Sequence, residues 1–323
     1  MGHLFFIALL TFAVSVPADS QRNDPTTVYT RAWSSEILDG GHEKDVEGVA
    51  FSPDGRSVAS ADNGGRIVLW NLARRRKERV FSGQNFTEVA FSPDGRLLVG
   101  AGFDNAVRVW NVRSGEELHL LRHKMEVEAL AYSPDGRLVA SAGGDRVIKV
   151  WRTDRWTEAF ELTGHTDSVY GLAFSPDARV LASSSRDRTI RLWDVSAGRE
   201  LSVLAGHRDS VYSVAFSADG RLLASGCRDG TVKLWDAMTW KEKRTLAAHQ
   251  DSVHGVAFAP GSRLLASASF DSTVKVWEVP SGRLRRTLTG HAADVNAVAF
   301  SPNGLWLASV SDDKKVRLWR VGK

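Results

Sequence analysis

The chain has 323 residues, 43% of them hydrophobic and 25% charged, with a net charge of +4. This is the composition of a globular protein with a sizeable core, and a basic excess this small carries no nucleic-acid signature. Its single cysteine, Cys227, excludes an intramolecular disulfide and any metal centre built from several cysteines.

The first element is the uncharged run "LFFIALLTFAVSV", residues 4–16. It is too short to span a bilayer comfortably and fits the apolar core of a signal peptide, with small residues Val16 and Ala18 preceding a cleavage after Ala18. No Lys or Arg precedes it. Residues 1–18 are therefore expected to be a signal peptide, 19–27 a short linker and the mature chain an exported protein (periplasmic or secreted). The alternative is an apolar segment retained as a membrane anchor.

From residue 28 onward the chain repeats itself. Trp70, Trp110, Trp151, Trp193, Trp235, Trp277 and Trp319 are separated by 40, 41, 42, 42, 42 and 42 residues. Each unit runs through a Gly-His or a variant of it, an alternating strand such as "SVYGLAFS", a turn such as "SPDG", and two further strands as in "RLLASGCRDGTVKLWD". Pro and Asp at the centre of a turn, followed by Gly, preset a tight reversal. Apolar alternation on both sides makes short antiparallel strands.

The repetition also decides how to read "TGHTDSVYGLAF", residues 163–174. His165, Asp167 and Ser168 are the residue types of a hydrolase triad, but equivalent stretches recur at 40–51, 205–216, 247–258 and 289–300. A catalytic centre is not written five times in one chain, so the stretch belongs to a structural unit.

These units resemble the WD-repeat family. The segment from Gly164 to Asp194, "GH…LAFSPDARVLASSSRDRTIRLWD", carries the family's Gly-His, its turn and its Trp-Asp, and the resemblance covers residues 28–323. It implies an all-β, seven-bladed β-propeller of four-stranded antiparallel blades, forming one domain. The last unit stops after its third strand, at "VRLWRVGK". At the other end "VYTRAWSSEIL", residues 28–38, stands before the first Gly-His as "RELSVL", residues 199–204, stands before Gly206. The N-terminal segment is thus expected to supply the outer strand of the last blade, closing the ring and covering both edges.

The resemblance further implies a hydrogen-bonded tetrad of Trp, Ser, His and Asp in each blade. In blade 3 these are His123, Ser141, Asp145 and Trp151; in blade 4, His165, Ser183, Asp187 and Trp193; in blade 5, His207, Ser225, Asp229 and Trp235. Blade 6 has His249, Ser267, Asp271 and Trp277, and blade 7 has His291, Ser309, Asp313 and Trp319. A buried indole needs an acceptor, and a neutral imidazole donates with one nitrogen and accepts with the other. Blade 1 has Gly64 where the aspartate belongs, and blade 2 has Gln84 for His and Gly100 for Ser. Blades 1 and 2 are therefore expected to be the softest.

A propeller does not state its function; a site must. Two positions vary at fixed register on the face bearing the Gly-His loops. One reads Glu47, Thr87, Glu128, Tyr170, Tyr212, His254, Asn296 and the other Asn63, Phe103, Gly144, Arg186, Arg228, Phe270, Asp312. Blades 4 to 6 gather Tyr, Arg, His and Phe, types enriched at binding hot spots, while blades 7, 1 and 3 gather the acids Asp294, Asp312, Asp45, Glu47, Glu126 and Glu128. The expectation is a protein or peptide ligand over blades 4 to 6. Tyr170, Arg186, Tyr212, Arg228, His254, Phe270, Phe103, Glu47 and Glu128 form the candidate surface, exposed at the channel mouth. Ordinary repeat drift is the plain alternative.

A rival class is a propeller enzyme with a channel-mouth site around His254, and a third is a structural platform joining several partners. No non-repeated nucleophile–base pair, phosphate loop or metal-ligand spacing is present, so no catalytic residue, cofactor or metal is expected, and no specific nucleic acid. The chain is expected to be a monomer. The basic runs "ARRRKER", residues 73–79, and "RLRR", residues 283–286, read as solvated turns or edges, with a polyanion patch as the sharper alternative.

Overall fold

Apolar alternation and Ser-Pro-Asp-Gly reversals give seven antiparallel sheets of four strands each. The structure, a computed structural model, describes residues 33–322; the expected signal peptide and linker, residues 1–27, lie outside the described residues. Blade 4 shows the pattern: Val169–Phe174, Val180–Ser185, Thr189–Asp194 and Arg199–Ala205, in sequence order from the channel outward. Among the described residues no helix is long and apolar enough to cross a membrane.

Burial falls from the inside out. Every residue of the seven inner strands (46–51, 86–91, 127–132, 169–174, 211–216, 253–258 and 295–300) is buried. The outer strands face water except for one apolar side chain each, namely Leu38, Phe81, Leu121, Leu162, Leu204, Leu246 and Leu288. Both basic runs lie at this solvated rim, "RLRR" wholly and "ARRRKER" through a turn into the strand Arg76–Ser82.

The ring closes as expected. Ser35–Leu38 pairs antiparallel with Val316–Arg320, in the register Ser35 to Trp319 and Leu38 to Val316. Leu38 then joins one apolar cluster with Trp319 and Val316 of blade 7 and Val46 and Trp70 of blade 1. Two chain ends thus cover each other's edge, and the core runs unbroken across the seam.

The tetrads brace the end of each blade that carries the Gly-His loop. In blade 4 the Trp193 indole N–H donates to Ser183 Oγ at 2.8 Å, Ser183 lies 2.7 Å from His165 Nε2, and His165 Nδ1 lies 2.7 Å from Asp187. An ionised carboxylate only accepts, so Nδ1 carries the proton and Nε2 accepts from serine. Blades 3, 6 and 7 repeat the arrangement. Burial holds His249 and His291 neutral. Burial alone would raise Asp313, but the bond from His291 outweighs it and leaves the carboxyl at about 2.

Three blades depart from the expected pattern. Blade 1 is complete, because Asp62, two positions before Gly64, reaches His42 Nδ1 at 2.7 Å, while Ser60 accepts from Trp70 at 2.8 Å and lies 2.6 Å from Nε2. The missing carboxylate on which a soft blade 1 was expected is thus supplied from a different position. Blade 2 replaces the polar chain with aromatic packing: Phe81 and Phe86 both pack on Trp110 with ring centroids 5.7 Å apart. Gly100 leaves room there for the tip of Ile67, 2.6 Å from where a Cβ would stand. Its Asp104 turns instead to Arg108.

Blade 5, expected to be complete, is the broken one. His207 Nε2 meets Ser225 at 2.7 Å, but Nδ1 has no partner and Asp229 bonds Thr231.

Two consequences follow for stability. Leu38→Ala should cost ~2–5 kcal/mol through the cavity it leaves, and deletion of residues 33–38 should cost more; an unchanged melting temperature on deletion would contradict ring closure by this strand. His165→Ala removes hydrogen bonds to both Ser183 and Asp187 whereas His207→Ala removes only the one to Ser225, so the first should be costlier by ~0.5–1.5 kcal/mol in thermal or urea unfolding.

Candidate functional site

The Gly-His loops and the turns before each tetrad aspartate share one end of the ring, here the top face. Arg186 N–H donates to Ser168 O at 3.0 Å and Arg228 N–H to Ser210 O at 2.9 Å, locking the two loops of a blade together.

Just inside this face, every inner strand carries a bulge at its second residue. Pairing with the neighbouring strand skips Glu47, Thr87, Glu128, Tyr170, Tyr212, His254 and Asn296. A bulge residue is released from the ladder and its side chain re-aimed, so the repeat builds a seven-membered ring of side chains free to differ. These are the residues read from the sequence as lying exposed at the channel mouth. The structure corrects that: Tyr170, Tyr212, His254, Glu47 and Glu128 are all buried, at 5% exposure or less. Tyr170, Tyr212 and His254 pack on one another across blades.

The ring has two chemically different arcs. Over blades 4 to 6 it is aromatic. Tyr170 and Tyr212 lie 5.4 Å apart, Tyr212 and His254 4.2 Å, and His254 stacks on Phe270 at 3.6 Å and 10°. Burial, aided by Arg228, pushes His254 down to about 3, so it is neutral. Burial likewise lifts both tyrosines well above the usual phenol range; they stay protonated. Above this row stand Arg186 and Arg228, both exposed, with Phe270 half-buried. Arg186 makes only a long contact to Asp167, at 3.8 Å.

Over blades 7 and 1 the ring is acidic. Asn296 donates to Asp312 at 2.6 Å and to the Val46 carbonyl at 3.0 Å, tying the two blades together. Asn63 donates to Asp45 at 3.2 Å and Glu47 at 3.3 Å. Burial, then the charges of Asp312 and Asp45, raise Glu47 well above the usual carboxylate range. Burial also raises Asp312, to about 6. In blade 3, burial and the neighbouring Glu126 raise Glu128, opposed by Arg186. Phe103, on blade 2, is half-buried.

A family model for the WD domain, G-beta repeat, matches the chain seven times, at residues 35–71, 75–111, 115–152, 156–194, 198–236, 240–278 and 282–320. The chain belongs to the WD-repeat family. Each matched unit begins on the outer strand of one blade and ends on the third strand of the next, which is why closure needs the first strand of the first unit. Comparison with curated proteins gave no match.

Three features of this WD-repeat protein escaped a reading of aligned positions. Asp62 substitutes for the blade 1 aspartate from a different register, although an acid close behind Ser60 was a visible signal. Glu88 is fully buried at a position held by Gly, Ala or Ser in the other blades. His119, outside the Gly-His positions, stacks on Trp156 at the rim at 5.3 Å.

The acidic arc makes a pH prediction. Folding raises Asp312 from 3.8 to about 6, so its stabilising contribution is full below the lower value and is lost as pH rises through the upper one. Relative to wild type, Asp312→Asn should gain melting temperature as pH rises across that window; parallel pH profiles would contradict the assignment.

Proposed function

We propose that this WD-repeat protein is a non-enzymatic interaction scaffold that captures a protein or peptide on its top face, over blades 4 to 6. The observation carrying this reading is the pair of exposed guanidinium groups, Arg186 and Arg228, set above the row Tyr170, Tyr212, His254 and Phe270. Both arginines act electrostatically on Tyr212, so they share one neighbourhood.

The buried aromatics form a stiff floor rather than the contact surface. The groups a ligand would meet are the two arginines and the open edge of Phe270. Arginine above an apolar floor suits a ligand pairing a carboxylate with an aromatic side chain. The carboxyls of the opposite arc, Asp45, Glu47 and Asp312, favour one orientation of such a ligand by leaving its negative end better served over blades 4 and 5.

His254 supports binding rather than a channel-mouth reaction. It is 1% exposed, neutral and stacked on a phenyl ring, and its lowered pKa makes it a weak base at neutral pH.

Panning a displayed random-peptide library on the immobilised protein tests the reading. Selected peptides should be rich in Asp or Glu beside Phe, Tyr or Trp. They should lose at least about tenfold in affinity on Arg186→Glu with Arg228→Glu, consistent with ~1.4 kcal/mol or more at an interface hot spot. Arg244→Glu, on the exposed outer strand of blade 5, should leave binding intact. Selected peptides that bind the double variant as well as wild type would refute the top-face site.

A further inference from the structure

The gap in the blade 5 tetrad brings together a chemistry that no other blade has. His207 is 8% exposed; its Nε2 is engaged by Ser225, and its Nδ1 is buried without a hydrogen-bond partner. In blades 1, 3, 4, 6 and 7 the same nitrogen lies within 3.1 Å of a carboxylate oxygen. Leaving such a group unpaired costs ~1–3 kcal/mol, so the site is poised for an occupant.

Facing it are Cys227 and Asp229. Cys227 ends the second strand of its blade, opposite Val211. The equivalent residues of blades 4, 6 and 7 are Ser185, Ser269 and Ser311, opposite Val169, Val253 and Val295. Those hydroxyls donate to the carbonyls of Asp167, Asp251 and Ala293 and accept from the backbone N–H of the tetrad aspartate. The thiol keeps the contact to Asp209 O, at 3.4 Å, and interacts with both the backbone N–H and the carboxyl of Asp229. A ligand-bearing sulfur has thus replaced a hydroxyl in the one blade whose histidine is unpaired. Ligand atoms of His207, Cys227 and Asp229 all lie within 4.8 Å of one another, the only such His, Cys and carboxylate group among the described residues.

We propose that His207, Cys227 and Asp229 form a binding site for one divalent transition-metal ion of the zinc class. Imidazole nitrogen, thiolate and carboxylate are the donors that zinc takes, at ~2.0–2.3 Å, which sets tetrahedral ligands roughly 3.3–3.8 Å apart. The donors are therefore at most roughly 1.5 Å too far apart to share one tetrahedral ion. Thiolate and imidazole together disfavour magnesium and calcium.

The surroundings fit. A divalent cation bound by one thiolate, one carboxylate and a neutral imidazole leaves no net charge to bury. With an ion on Nδ1, the His207 proton would sit on Nε2 and donate to Ser225 Oγ, 2.7 Å away, the outer contact that orients a ligating histidine. Two ligands are buried and Asp229 is exposed, so the fourth position opens to solvent, for a water or a donor from a partner. Burial pushes the free thiol up to about 12, which makes it inert by itself; binding displaces that proton to solvent, one per ion. The ion would close blade 5 as the carboxylate closes its neighbours.

The test uses the full chain, freed of metal with a chelator and titrated with Co²⁺ and then Zn²⁺. Wild type should bind one equivalent of Co²⁺, show a sulfur-to-cobalt charge-transfer band with tetrahedral visible bands, and lose both on adding Zn²⁺. Zn²⁺ should also raise the melting temperature, as any ligand of the native state does. Cys227→Ser installs the residue that blades 4, 6 and 7 carry there, so it should fold, yet the charge-transfer band should vanish and Co²⁺ affinity fall at least about tenfold. His207→Gln, which copies Gln84 of blade 2, should lose binding too. A wild type without the sulfur band, or a Cys227→Ser variant with unchanged cobalt affinity, would overturn the proposal.

Discussion

Every blade depends on the pairing of the two ends of the described chain. Four residues, Ser35–Leu38, complete the sheet formed by the last three strands. Without them the outermost edge of blade 7 is a row of unpaired backbone groups, and the apolar cluster that runs from Trp319 through Leu38 to Trp70 is cut. Each inner strand is buried on both sides only because a neighbour stands on each side. Opening one seam therefore exposes two faces and loosens the ring as a whole.

Within that ring, the tetrads specify more than they stabilise. Hydrogen bonds that replace bonds to water are worth ~0.5–1.5 kcal/mol each, while an orphaned partner costs more. Selection for a rigid top face can therefore be met in several ways, and three blades show them. Blade 1 takes its carboxylate from Asp62, and blade 2 abandons polarity for Phe81 and Phe86 around Trp110. Blade 5 keeps the histidine, loses its carboxylate contact and gains a thiol. The first solves the problem inside the blade and the second with a phenyl ring borrowed from the outer strand of blade 1; the third leaves an open valence.

The bulge in each inner strand separates fold from function. Releasing one residue per blade from the ladder lets that position vary without breaking a sheet, and the variation has sorted into an aromatic arc and an acidic arc. Members of the ring's aromatic arc pack on one another from blade to blade. Burial is also what makes its electrostatics unusual: it leaves His254 neutral, lifts Asp312 to about 6 and raises Glu47 and Glu128. The exposed arginines above the ring then carry the charge that a ligand meets.

The seven-fold count, the blade boundaries, the closing strand and the tetrads of blades 3, 4, 6 and 7 were all legible in the sequence. Each is a local pattern repeated in register, and repetition turns weak local signals into a definite one. Tertiary structure alone decided the rest. Whether Tyr170 faces solvent depends on Tyr212 and His254 from other blades, and whether Asp229 reaches His207 depends on an ångström or so of loop position. Asp62 replaces an aspartate at a shifted register because a histidine ring selects its partner by distance and not by alignment. Local periodicity fixes which strands form and in what order; exposure, protonation and ligand-ready clusters arise where distant units meet.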